Sequence, residues 1–101
     1  WENRVAVHRF VRDIPLKPGH PSWPTLVAVE EGLARLADKP VLLCWGGRDF
    51  CFDDVFYREW QVRFPKAQGH YYPSAGHYLL EDAFPEIEGR VRAFLRSLAA
   101  A

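Results

Sequence analysis

The run Val41-Leu42-Leu43-Cys44-Trp45, entered through Pro40 and ended by Gly46-Gly47, constrains the fold more than any other stretch of the chain. A strand with one wet face alternates apolar and polar residues. A short run with no alternation is what a parallel strand covered on both faces requires. Parallel strands cannot be joined by a tight hairpin and need a crossover, usually helical. Residues 54 to 64 read as that helix: Asp53 is placed to cap it, Asp54 lies at its positive end, and Phe56, Trp60 and Phe64 recur at steps of four before Pro65. A second strand is expected at 68 to 72.

The flanking segments complete an alternating order. Leu26, Val29, Leu33 and Leu36 predict an amphipathic helix over 24 to 37 with Ser22 at its N-cap. Ile87, Val91, Phe94, Leu95 and Leu98 predict a last helix over 85 to 98, with acids early and Arg90, Arg92 and Arg96 on its solvated face. Residues 1 to 12 mix Trp1, Val5, Val7, Phe10 and Val11 with charge at a looser helical spacing, stopped by Asp13-Ile14-Pro15. Four prolines between Pro15 and Pro24 make a connector. The fold class is therefore α/β, with two parallel strands and flanking helices. A strand as apolar as 41 to 45 needs a neighbour on each side, and the second strand supplies one. The other is expected from the rest of a larger domain or from a partner chain.

Composition excludes several classes of function. With 13 basic and 13 acidic residues among 101, the chain lacks the clustered positive charge of a nucleic-acid surface. No apolar run reaches the length of a membrane span, and no secretion leader is visible. Cys44 and Cys51 are too few and wrongly spaced for a disulfide framework, a redox pair or a zinc site, which makes a reducing cytoplasm the expected compartment. His8, His20 and His70 have no spacing that brings two onto one face, so no metal is expected.

Chemistry is expected where the two strands end, because ligands of open α/β sheets bind beyond the carboxyl ends of their strands. Asp49 follows the first strand and His77 the second. An imidazole acting as a base needs its other ring nitrogen held by an acceptor, which fixes the tautomer and stabilises the imidazolium. Asp49 is placed to be that acceptor. Taken singly, Asp49 also reads as a turn residue and His77 as a cap. Asp53, Asp54, Glu81 and Asp82 compete as partners, the first two reading better as helix N-terminal residues and the last two as caps of the final helix. Cys51 reads as a small filler rather than a nucleophile. No Gly-x-Ser-x-Gly or Gly-x-Asp-x-Gly elbow occurs, so a nucleophile is expected outside the sequence. Phe50, Phe52, Tyr78 and Leu79 flank the pair as pocket-wall candidates, with ordinary packing as the competing reading.

Residues 40 to 52 (PVLLCWGGRDFCF) and 75 to 82 (AGHYLLED) resemble the acid and histidine segments of α/β-hydrolases of the haloalkane dehalogenase and epoxide hydrolase branch. The stretch from Asn3 to Leu16 is similar to the end of the lid region in dehalogenase-like members, including the β-lactone decarboxylases of bacterial olefin synthesis. The resemblance implies that residues 1–23 end a lid region and connector, and that 24–101 form the C-terminal part of the hydrolase core. It assigns Asp49 as the triad acid and His77 as the base, with no cofactor. It implies an apolar substrate (halocarbon, epoxide, lactone or ester) processed through a covalent ester on an aspartate or serine nucleophile. The competing expectation is a non-catalytic assembly module that folds only with a partner chain.

Overall fold

The computed structural model describes residues 2 to 100, with the side chain of Glu2 left aside; Trp1, counted above in the first helix, lies outside the described residues. The chain forms two compact units, residues 1–36 and 37–101.

In the first unit a short 3-10 turn leads into α1 (Val5–Arg12), which Asp13 ends by donating its backbone N–H to the carbonyls of Arg9 and Phe10. After the proline connector comes α2 (Trp23–Gly32), continued by a 3-10 turn over Leu33–Leu36. The expected single helix over 24 to 37 thus tightens at Gly32. Glycine is a poor helix-interior residue, and a final turn readily goes over to 3-10 geometry. Ser22 stands at the N-cap but has helical backbone angles and makes no side-chain cap bond. His20 holds this entry instead: its Nδ1 accepts the Ser22 N–H at 3.1 Å and its carbonyl accepts that of Trp23 at 2.9 Å.

The second unit carries the sheet. β1 (Leu42–Gly46) pairs in parallel with β2 (Gln68–Tyr72), from Leu42 opposite Gln68 to Gly46 opposite Tyr72. The crossover is α3 (Asp54–Arg63), capped by Asp53, whose carboxylate accepts the Val55 N–H at 2.9 Å. Trp60 and Phe64 stack at 5.8 Å on its apolar side. A single helical turn, α4 (Leu79–Asp82), precedes α5 (Phe84–Ala99), which packs against β1. On α5 the Glu88–Arg92 ion pair, 2.8 Å, lies on the solvated face.

The core is small. Phe64, Ala75 and Ile87 are the buried hydrophobic residues among those described, while Leu42 to Trp45 are all half-buried. Both faces of β1 are therefore partly uncovered, and among the described residues β2 is its one strand neighbour. Val91, Leu95 and Leu98 of the α5 stripe are also exposed. No described helix is long and apolar enough to cross a membrane.

Candidate active site

Two loops leave the same end of the sheet, and their backbones are bonded to each other before the chain reaches Asp49 in one and His77 in the other. Gly47 donates its N–H to Tyr72 O and Arg48 donates to Ala75 O, both at 2.9 Å. The paired glycines are there for space, since neither has a positive φ. A Cβ on Gly46 would lie 2.5 Å from Gly76 O and 2.7 Å from Ala75 O; one on Gly47 would lie 2.6 Å from the Tyr71 hydroxyl. Any side chain at 46 forces the acid loop and the histidine loop apart. Gly46→Ala is therefore expected to destabilise the unit by about 1–3 kcal/mol, the usual cost of overpacking, and to separate the loops. Denaturant unfolding checks the first effect and the His77 ring proton resonances the second; unchanged values for both would show that the loops are not held this closely.

The acid loop folds around its own aspartate. Asp49 Oδ1 accepts the backbone N–H of Cys51 at 2.8 Å and of Phe52 at 2.9 Å. The far end is tied to the strand by the Trp45 indole N–H, which donates to Phe52 O at 2.9 Å. Trp45 in turn stacks on Tyr57 of α3 at 5.7 Å. The Asp49 carboxylate is thus fixed by bonds that do not involve the histidine, and 11% of its side chain is exposed.

His77 reaches the same carboxylate, its Nδ1 lying 3.0 Å from Asp49 Oδ1 and 3.2 Å from Oδ2. With Oδ1 already accepting two N–H groups, the carboxylate is best matched by an Nδ1 that carries the proton. This directs the Nε2 lone pair away from Asp49. The partial burial of Asp49 alone would raise its pKa; the Phe52 and Cys51 amides and His77 outweigh this and hold it below the ordinary aspartate value. Asp49 is therefore held as an anion beside the His77 ring.

Aromatic rings surround the imidazole. Phe50 lies 5.4 Å from its centroid, Tyr78 5.6 Å and Phe52 5.7 Å. Phe50 is 85% exposed and Tyr78 68%, whereas Phe52 also meets Phe56 edge-on at 5.3 Å. Leu79, the fourth wall candidate, is half-buried at the start of α4. The structure therefore gathers Asp49, His77, Phe50, Phe52 and Tyr78 in one place. Phe50, Phe52 and Tyr78 are exposed.

Three of the four competing acids have other partners. Asp53 caps α3, and Asp54 accepts the Tyr71 hydroxyl at 2.8 Å. Asp82 does not cap the last helix: Ala83 occupies that N-cap without a side-chain bond, and Asp82 Oδ2 accepts the Gly76 N–H at 2.7 Å. Glu81 precedes α5 as expected but lies within α4, and the α5 N-cap is Ala83. Cys51 is exposed, so it fills no core space, and its contribution is the amide that holds Asp49. Sequence reasoning missed Trp45 and Asp82 as residues that shape the site. Trp45 carried a usable signal, since an indole N–H in an apolar strand needs an acceptor nearby.

The chain is similar to two proteins named cis-3-alkyl-4-alkyloxetan-2-one decarboxylase. It is 41% identical over 95 residues to that of Shewanella oneidensis and 38% identical over 95 residues to that of Xanthomonas campestris pv. campestris. Each match covers 94% of this chain but 30% and 32% of the respective relative, so the chain spans about a third of the length of the curated relatives it matches. No family model and no solved structure matches.

Proposed function

We propose that this chain is the C-terminal portion of an α/β-hydrolase-type enzyme, and that it supplies the acid–base pair of a site whose nucleophile lies in a segment outside the sequence. The observation that carries this reading is the 3.0 Å approach of His77 Nδ1 to a carboxylate already fixed by two backbone amides. Such an imidazole is held in one tautomer and presents Nε2 as a proton acceptor. The half-buried faces and free edge of β1 fit a sheet that further strands complete.

The substrate proposed is an apolar oxetan-2-one bearing alkyl chains. One observation favours a lactone over a halocarbon or epoxide: both relatives bear that substrate in their names. The rings beside His77 offer an apolar wall that suits the alkyl chains. A carboxylate nucleophile attacks the ring carbon bonded to the ring oxygen, forming the ester as that C–O bond breaks and frees the substrate's own carboxylate. Loss of carbon dioxide then makes the carbon–carbon double bond and breaks the ester bond, while His77, carrying a proton at Nε2, lends it to the departing carboxylate and takes it back as the nucleophile is regenerated. Decarboxylation converts the ring to one alkene and one carbon dioxide without taking oxygen from water.

The intact enzyme incubated with a cis-3,4-dialkyl oxetan-2-one is expected to release alkene and carbon dioxide in equal amounts. A 3-hydroxy acid carrying solvent oxygen would mean that it hydrolyses the ring instead. A lactone left untouched beside a consumed epoxide or haloalkane would overturn the substrate.

A further inference from the structure

The loop that bears His77 is closed by a side chain that the acid–base pair does not use. Asp82, the last residue of α4, turns back so that its Oδ2 accepts the Gly76 N–H at 2.7 Å. Gly76 is the residue immediately before His77. One position earlier, buried Ala75 accepts the Arg48 N–H at 2.9 Å and donates its own N–H to Tyr72 O at 3.2 Å. The chain entering His77 is thus held at Ala75 by the acid loop and β2, and at Gly76 by Asp82. Beyond His77, the Glu81 and Asp82 amides both donate to Tyr78 O, at 2.9 and 3.1 Å. Residues 76 to 82 therefore make a ring closed by one carboxylate.

The bond is short and charge-assisted, which makes it stronger than a neutral amide contact. Opening it frees the Gly76 peptide, whose rotation moves the His77 Cα and with it the imidazole. The opposing Asp49 stays in place, since its own bonds run to Cys51 and Phe52. The cost then falls on the His77–Asp49 alignment rather than on the Phe50 and Phe52 walls, which belong to the acid loop.

The geometry points to Asp82 as a positioning residue: it fixes, through the Gly76 amide, the loop that keeps His77 Nδ1 on Asp49 and Nε2 toward the substrate. This rests on the reading of Asp49 and His77 as the acid–base pair. Asp82 touches neither substrate nor reacting atoms, so its effect is on kcat and not on KM.

The test uses the intact enzyme and its Asp82→Ala and Asp82→Asn variants, with hydrogen exchange at Gly76, the downfield His77 Nδ1–H resonance, and kcat and KM as readouts. Asp82→Ala is expected to lose Gly76 protection, to broaden the Nδ1–H signal, and to lower kcat roughly ten- to a hundredfold with KM changed less than about threefold. Asp82→Asn keeps a carbonyl oxygen for the Gly76 N–H and is expected to recover most of both. The assignment fails if kcat and Gly76 protection survive in Asp82→Ala, or if a folded Asp82→Asn is as impaired as the alanine variant. It also fails, without any variant, if Gly76 is unprotected in the unmodified enzyme. Should His77→Gln retain turnover, the pair itself is misread, whereas an inactive His77→Gln beside a fully active Asp82→Ala removes Asp82 alone.

Discussion

His77→Gln in the intact enzyme is expected to lower steady-state turnover of the lactone by about a thousandfold or more, within the range that loss of a general base produces, and to let a covalent adduct accumulate. Glutamine suits the test because its side-chain amide can still donate to Asp49 and hold the two loops together. The aromatic rings around position 77 keep a planar neighbour. What glutamine cannot do is exchange a proton at the position of Nε2. The nucleophile can still open the ring, so the enzyme should react once and stop. Mass spectrometry of the arrested protein should show an added mass equal to that of the whole lactone, because ring opening by addition expels nothing. Turnover at the ordinary rate would remove His77 from the chemistry. An inactive variant with no adduct would place its role before the ester rather than after it.

How much of this was legible in the sequence depends on how local each signal is. β2 falls at 68 to 72 as expected, while β1 runs to Gly46, one residue past its last apolar side chain. Strand pairing is made by backbone, and the Gly46 backbone still pairs opposite Tyr72. The Asp53 cap and the closing Pro65 bracket α3 because both act on the nearest turn. The meeting of Asp49 and His77, 28 residues apart, was readable only through topology, which sends both strand ends to one edge. Asp82 was misread because a carboxylate before a helix can accept from that helix or from an earlier amide, and composition does not choose between them. The break at Gly32 was concealed by leucines that keep their spacing through Leu33 and Leu36 whether the turn is α or 3-10. No elbow motif occurs in these residues, and among those described β1 has one strand neighbour, so neither a nucleophile nor a second neighbour could be read from them.

Asp49→Asn is the second large effect expected, a fall in kcat of about a thousandfold or more, as wrong-tautomer substitutions at such a position produce. The substitution is nearly isosteric, but this loop does not let it be chemically neutral. The Cys51 and Phe52 amides both need an acceptor and both use Oδ1, at 2.8 and 2.9 Å. An asparagine must therefore keep its carbonyl oxygen there. That oxygen, 3.0 Å from His77 Nδ1, already accepts two amides and no longer carries the carboxylate's charge, so it is a poor third acceptor, while the NH2 group occupies the place of Oδ2, 3.2 Å from the same nitrogen. A donor in that place favours a ring whose Nδ1 accepts and whose Nε2 carries the proton, the reverse of what a base requires. Flipping the amide to offer its oxygen to the histidine would set NH2 against two backbone N–H groups, so the loop resists that escape. The downfield Nδ1–H resonance should disappear while Trp45 and Phe52 keep their native signals, separating a tautomer change from unfolding. A variant that keeps that resonance and more than about a tenth of the kcat would show that Asp49 does not set the tautomer, because the effect argued from its acceptor geometry is far larger than tenfold.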